Sequence, residues 1–141
     1  MALPGYLITV ALYLRGDDLD PELVSRTLGI TPSRSQRRGE KQTTSTNKEI
    51  TTRIGLWAIL SESKSRALSD HVAELITRVG TKRDRLLGIP GVQEAYVDVF
   101  MAADADADGG GTCEFDLSAE QVAFVAGLGT PIKFTIAVVR E

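Results

Sequence analysis

Residues 6–24 decide the fold class: Tyr6-Leu7-Ile8-Thr9-Val10-Ala11-Leu12-Tyr13-Leu14, then Arg15-Gly16-Asp17-Asp18, then Leu19-Asp20-Pro21-Glu22-Leu23-Val24. The first segment is short, apolar and rich in β-branched and aromatic residues, which predicts a buried central strand. Arg15 to Asp18 then makes a turn. Asp20 can accept the unpaired amide protons of a helix start, and Pro21 suits the first helical position because it has no N–H to satisfy. Leu19 and Val24 stand at the spacing of a hydrophobic staple. Gly29 ends this helix after about two turns, and Pro32 prevents it from resuming. A strand feeding at once into a short capped helix is the opening of a mixed fold.

The rest of the chain extends that pattern. Ser33 to Arg38 reads as a short polar edge strand, residues 39–52 as a hydrophilic loop with a mobile tip, and Ile54 to Leu60 as the returning strand. Leu68, Val72, Leu75, Ile76 and Val79 mark one face of an amphipathic helix that Ser69 caps and Gly80 closes. Thr81 then caps a short basic helix over Lys82–Leu87. In Val92–Ala102, Ala95, Val97, Val99 and Met101 alternate with Tyr96, Asp98 and Phe100, the mark of a strand with one covered side. Thr112–Phe115 reads as a short hairpin strand. Ser118 and Gln121 form a capping box, with Leu117 and Val122 as its staple. Gly127 or Gly129 ends the helix, and Ile132, Phe134, Ile136 and Val138 alternate in a closing strand. This order predicts a single α+β domain over residues 1–141. We expect a two-layer sandwich, with a mainly antiparallel sheet and helices on one face. The element order is ferredoxin-like, βαββαβ, extended by a further hairpin strand, helix and strand.

With 141 residues, 43% hydrophobic and 25% charged, the chain can bury a core without staples. The single cysteine, Cys113, excludes an internal disulfide and suits a reducing compartment. The longest apolar run, Leu7 to Leu14, is too short to span a membrane, so a cytoplasmic protein is expected. The net charge of −3 is unevenly spread: residues 26–85 hold 13 basic against 6 acidic groups, and residues 86–141 hold 2 against 9. Such segregation suits a charged protein partner or self-association. Overall acidity disfavours nucleic acid.

Several segments carry a family resemblance: Gly16-Asp17-Asp18-Leu19-Asp20-Pro21, Leu28-Gly29-Ile30-Thr31-Pro32-Ser33-Arg34, Gly39-Glu40 and Gly55-Leu56-Trp57. Together they resemble the bacterial family known as domain of unknown function 4279. The similarity continues through Leu68–Leu87 and Leu117-Ser118, so it covers nearly the whole chain. It implies a compact bacterial protein and supplies no catalytic residues. The Ala102–Gly111 connection is longer than in relatives, so any role it has belongs to this protein alone.

Candidate chemistry is sparse. Asp104, Asp106 and Asp108, followed by Gly109, repeat the opening of a calcium loop. Phe115 stands where the closing bidentate Glu belongs, so divalent binding there is expected to be weak. Arg34, Arg37 and Arg38 are the candidate contacts for an anion or an acidic partner. Trp57, in an apolar strand, is expected in the core, with ligand stacking as its alternative role. Asp17, Asp18 and Asp20 read as turn and cap residues. His71, the lone histidine, is expected on the exposed side of its helix without a neighbouring nucleophile. Neither a phosphate loop nor a dinucleotide fingerprint nor a nucleophile elbow appears, so no cofactor is expected and the chain leans away from catalysis. The leading expectation is a non-catalytic interaction module, of which an immunity-type protein that blocks a toxin is one form. Binding of a small molecule or divalent metal is the alternative.

Overall fold

The computed structural model describes residues 6–80, 86–104 and 114–139. Strand β1, Tyr6–Gly16, leads through a tight turn into helix α1, Pro21–Leu28. The Asp20 carboxylate accepts the Glu22 amide at 3.0 Å, and Gly29 closes the helix at φ 67°. Short strands β2 (Arg34–Gln36), β3 (Lys41–Thr43) and β4 (Glu49–Thr51) precede β5, Gly55–Leu60. Helix α2 spans Leu68–Val79, and strand β6 spans Glu94–Asp104. Helix α3, Ala119–Gly127, carries both halves of the Ser118–Gln121 capping box, and β7, Ile132–Val139, closes the order.

Five strands form one sheet in the order β2-β5-β1-β6-β7, and β3 pairs with β4 in a separate two-stranded sheet. All main-sheet pairs are antiparallel except β6 with β7, which are parallel. This is the α+β, mainly antiparallel architecture expected from the sequence. It departs from the expected element order in two places. The hydrophilic loop at 39–52 folds into the β3–β4 hairpin, whose turn is closed by Thr44 and by Asn47 at φ 61°. The expected strand at Thr112–Phe115 is not formed in its described part: Glu114 and Phe115 are irregular, while Thr112 and Cys113 lie outside the described residues. Most of the basic helix expected over Lys82–Leu87 lies outside them too, leaving one tight turn at residues 86–88.

One face of the sheet holds the core. Ile8, Val10, Leu12 and Leu14 of β1, Trp57 and Ile59 of β5, and Ala95, Val97, Val99 and Met101 of β6 are buried together. Val24 and Leu28 of α1, Leu68, Val72, Leu75 and Val79 of α2, and Phe124 and Val125 of α3 join the same cluster. The buried stripes of all three helices therefore meet one side of the sheet, because the period-2 alternation sends every second strand residue that way. Among the described residues, no helix packs on the other side. None of the described helices is long and apolar enough to cross a membrane.

Candidate functional site

The face of the sheet turned away from the helices is assembled row by row from the strand register. Arg34, Ala58, Tyr13 and Tyr96 form one row across β2, β5, β1 and β6. Gln36, Leu56, Arg15 and Glu94 form the next row toward one end of the strands. In the other direction Leu60, Ala11, Asp98 and Lys133 follow, and then Thr9, Phe100 and Thr135. Leu7, Ala102 and Ala137 complete the face, and Leu7 is 64% exposed. The Tyr13 and Tyr96 rings stack with centroids 5.3 Å apart. Lys133 places its ammonium 4.0 Å from the centre of the Tyr96 ring and 3.6 Å from Glu94, which also lies 3.8 Å from Arg15. The result is an aromatic and aliphatic platform with paired charges at one end. Its side chains are mostly half-exposed, so it has apolar area left to bury.

The three candidate arginines separate. Arg34 lies on this platform, exposed and without an acidic partner among the described residues. Arg37 instead pairs with Asp20 at 2.7 Å and approaches Glu22 at 3.7 Å, while Arg38 reaches Asp18 at 3.3 Å. Arg37 and Arg38 of the basic cluster and Asp20 and Asp18 of the acidic one, read separately from the sequence, are thus each other's partners and tie the β2 exit to the start of α1. Partial burial pulls the Asp20 carboxyl upward. The amides of Leu23 and Glu22 and the Arg37 guanidinium outweigh that pull and hold it below the ordinary carboxylate value.

Trp57 is fully buried, and its indole N–H donates to the Ser25 hydroxyl at 3.0 Å. No ring face is open, so the ligand-stacking alternative gives way to the core role. Asp104 is exposed at the end of β6, and Asp106 and Asp108 lie outside the described residues. Among the described residues no group of His, Cys, Asp and Glu gathers as a metal site.

His71 is the clearest correction. Its side chain is wholly buried: Nδ1 lies 2.7 Å from the Ser61 hydroxyl and Nε2 lies 2.8 Å from the Ser65 carbonyl. A carbonyl only accepts, so Nε2 carries a proton, and in the neutral ring Nδ1 is the acceptor for the Ser61 hydroxyl. The Ser61 oxygen in turn accepts the Val10 amide at 2.9 Å. The Ser61–His71 pair is consequently spent on fastening α2 to the end of β5 and to β1. The sequence held the signal, since His71 stands three residues after Leu68 and four before Leu75, on the buried stripe. Nor does Ser69 cap α2. Ala67 occupies the cap position, and Ser65 bonds both the Ala67 amide and Asp70.

The glycines of the shared motifs are explained by contact. Gly16 faces Gly55 across the β1–β5 ladder, and a Cβ on Gly16 would collide with the Gly91 carbonyl oxygen. A Cβ on Gly55 would lie 2.7 Å from the Gly16 carbonyl oxygen, and Gly91 itself needs φ 88°. Three chain segments thus approach at backbone distance, which only glycine permits.

Fold and platform define a class: an α+β protein with one helix-covered sheet face and one that no helix covers among the described residues. The model of the family described as "Domain of unknown function (DUF4279)" matches residues 6–139, and the chain belongs to that family. No curated protein and no solved structure matches the chain.

Proposed function

We propose that this protein is a non-catalytic protein-binding module whose docking surface is the bare sheet face. The observation that carries the reading is the platform of Tyr13, Tyr96, Phe100, Leu7 and Leu60, with Arg34 and Arg15 at its margin. Tyrosine, phenylalanine and arginine are enriched where protein interfaces concentrate their energy, because large, rigid side chains desolvate much area at low entropic cost. The residues shared with the family support the same reading. Gly16, Asp20, Gly55 and Trp57 each have a structural task, so none of them is available as a binding residue, and the exposed platform side chains are.

The acidity of residues 86–141 suits a basic partner, and an immunity-type protein that neutralises a bacterial toxin in the cytoplasm is the form this charge favours. The test is affinity capture from the native host with wild type and with a Tyr96→Glu, Phe100→Glu double variant. Calorimetry with the purified captured protein follows. We expect stoichiometric binding by wild type and a loss of about tenfold or more in the variant, which stays folded by circular dichroism although it loses the Tyr13–Tyr96 stack. Equal affinity of the two chains for the captured protein would reject the platform as the docking surface.

A further inference from the structure

The two edges of the main sheet are treated in opposite ways. At one edge β2 has only Arg34, Ser35 and Gln36, short and polar, the usual protection of an exposed edge. At the other, β7 runs over eight residues, Ile-Lys-Phe-Thr-Ile-Ala-Val-Val, with no proline and one charge. Phe134, Ile136 and Val138 are 54%, 56% and 63% exposed, although their register partners Val99, Met101 and Ala103 are buried. Val97 donates its amide to the Pro131 carbonyl at 2.9 Å, which fixes the alternation along β7. Lys133, Thr135 and Ala137 turn their backbone groups toward β6, so Ile132, Phe134, Ile136 and Val138 turn theirs outward. Among the described residues, the backbone groups left without a strand partner and the exposed apolar side chains therefore belong to the same part of β7.

We infer that a second copy of this chain pairs here, β7 against β7 in antiparallel fashion about a two-fold axis, giving a continuous ten-stranded sheet. The strand is self-complementary in one register. Thr135 meets its own copy, Phe134 meets Ile136, Ile132 meets Val138, and Lys133 meets Ala137. Every outward amide and carbonyl of Ile132, Phe134, Ile136 and Val138 then has a partner, and the two apolar rows lie side by side. The charges agree with this register: the two Lys133 residues are offset by four positions, about 13 Å along the strand, beyond the screening length at physiological salt. The edge is about 26 Å long and about 10 Å deep through both side-chain layers. That gives about 500 Å² over both copies from the paired strands alone, the size of a weak, reversible contact, so the dimer forms only at high protein concentration. The apolar row of Phe134, Ile136 and Val138 lies on the opposite face of β7 from the platform, while Lys133, Thr135 and Ala137 border both surfaces.

The experiment is sedimentation velocity across a dilution series of the full chain, joined to cross-linking in a Cys113→Ser background. Wild type is expected as a dimer that dissociates on dilution. Ile136→Lys, at an exposed position, is expected to weaken it by about a hundredfold or more with unchanged thermal unfolding, because two like charges then face the apolar rows. Thr135→Cys is expected to give a covalent dimer under mild oxidation, since opposed non-hydrogen-bonded residues lie about 4.5 Å apart, while Lys133→Cys, with its two copies too far apart to bridge, gives no covalent dimer. A wild type monomeric at every concentration overturns the inference, as does a dimer that Ile136→Lys leaves intact. Equal cross-linking at both cysteine positions overturns it too, and so does a monomer whose β7 amides become protected only when a foreign chain is added.

Discussion

Trp57→Ala removes the largest fully buried side chain of the protein. The indole lies in the cluster formed by β1, β5 and the helices, so its loss forfeits transfer free energy and leaves a cavity that rigid neighbours fill only in part. Such truncations cost about 3–5 kcal/mol. The bond to Ser25 at 3.0 Å adds a term that can be isolated. Ser25→Ala leaves the indole N–H buried without an acceptor, at about 1–3 kcal/mol. In a Trp57→Phe background no N–H remains to strand, so the same change is expected to cost almost nothing, and the difference is the coupling energy. Urea unfolding followed by circular dichroism reads both. With a slope of about 2 kcal/mol per molar, the Trp57→Ala midpoint falls by about 1.5–2.5 M. A midpoint lowered by less than about 0.5 M at unchanged slope would place the ring outside a packed core and refute the reasoning.

Gly16→Ala forces a methyl group onto the Gly91 carbonyl and is expected to destabilise by about 1–3 kcal/mol in thermal unfolding. Gly88→Ala, where nothing lies within 4 Å, serves as the control and should stay within about 0.5 kcal/mol of wild type. Asp20 has a folded-state pKa below its ordinary 3.8, so its ionised form stabilises the fold above that pH, and the contribution fades as pH falls through the lower folded value. The gap in urea midpoint between wild type and Asp20→Asn should therefore be open at pH 6 and closed in strong acid; a gap that widens on acidification would contradict the Arg37 pairing.

What the sequence determined by itself is what depends on near neighbours. The Asp20 cap, the Pro21 start, the Gly29 stop and the Ser118–Gln121 box each involve residues within a few positions, and all were legible. So was the alternation that puts Val97 and Val99 on one side of β6 and Tyr96 and Phe100 on the other, because a strand's period holds wherever it docks. The tertiary structure alone decided what meets across the chain. Arg37 and Arg38 read as free cations until the fold set them on Asp20 and Asp18. Gly16, Gly55 and Gly91 share no local pattern, yet their backbones touch. Tyr13 and Tyr96 are 83 positions apart and stack only because β1 pairs with β6. The closing strand has the alternation of a buried element, but its position outside β6 leaves that row bare. Local hydrogen bonding and steric preference act within a turn or two of chain, whereas strand order and register are chosen by the burial of the whole core, and the bare face and the open edge exist only at that level.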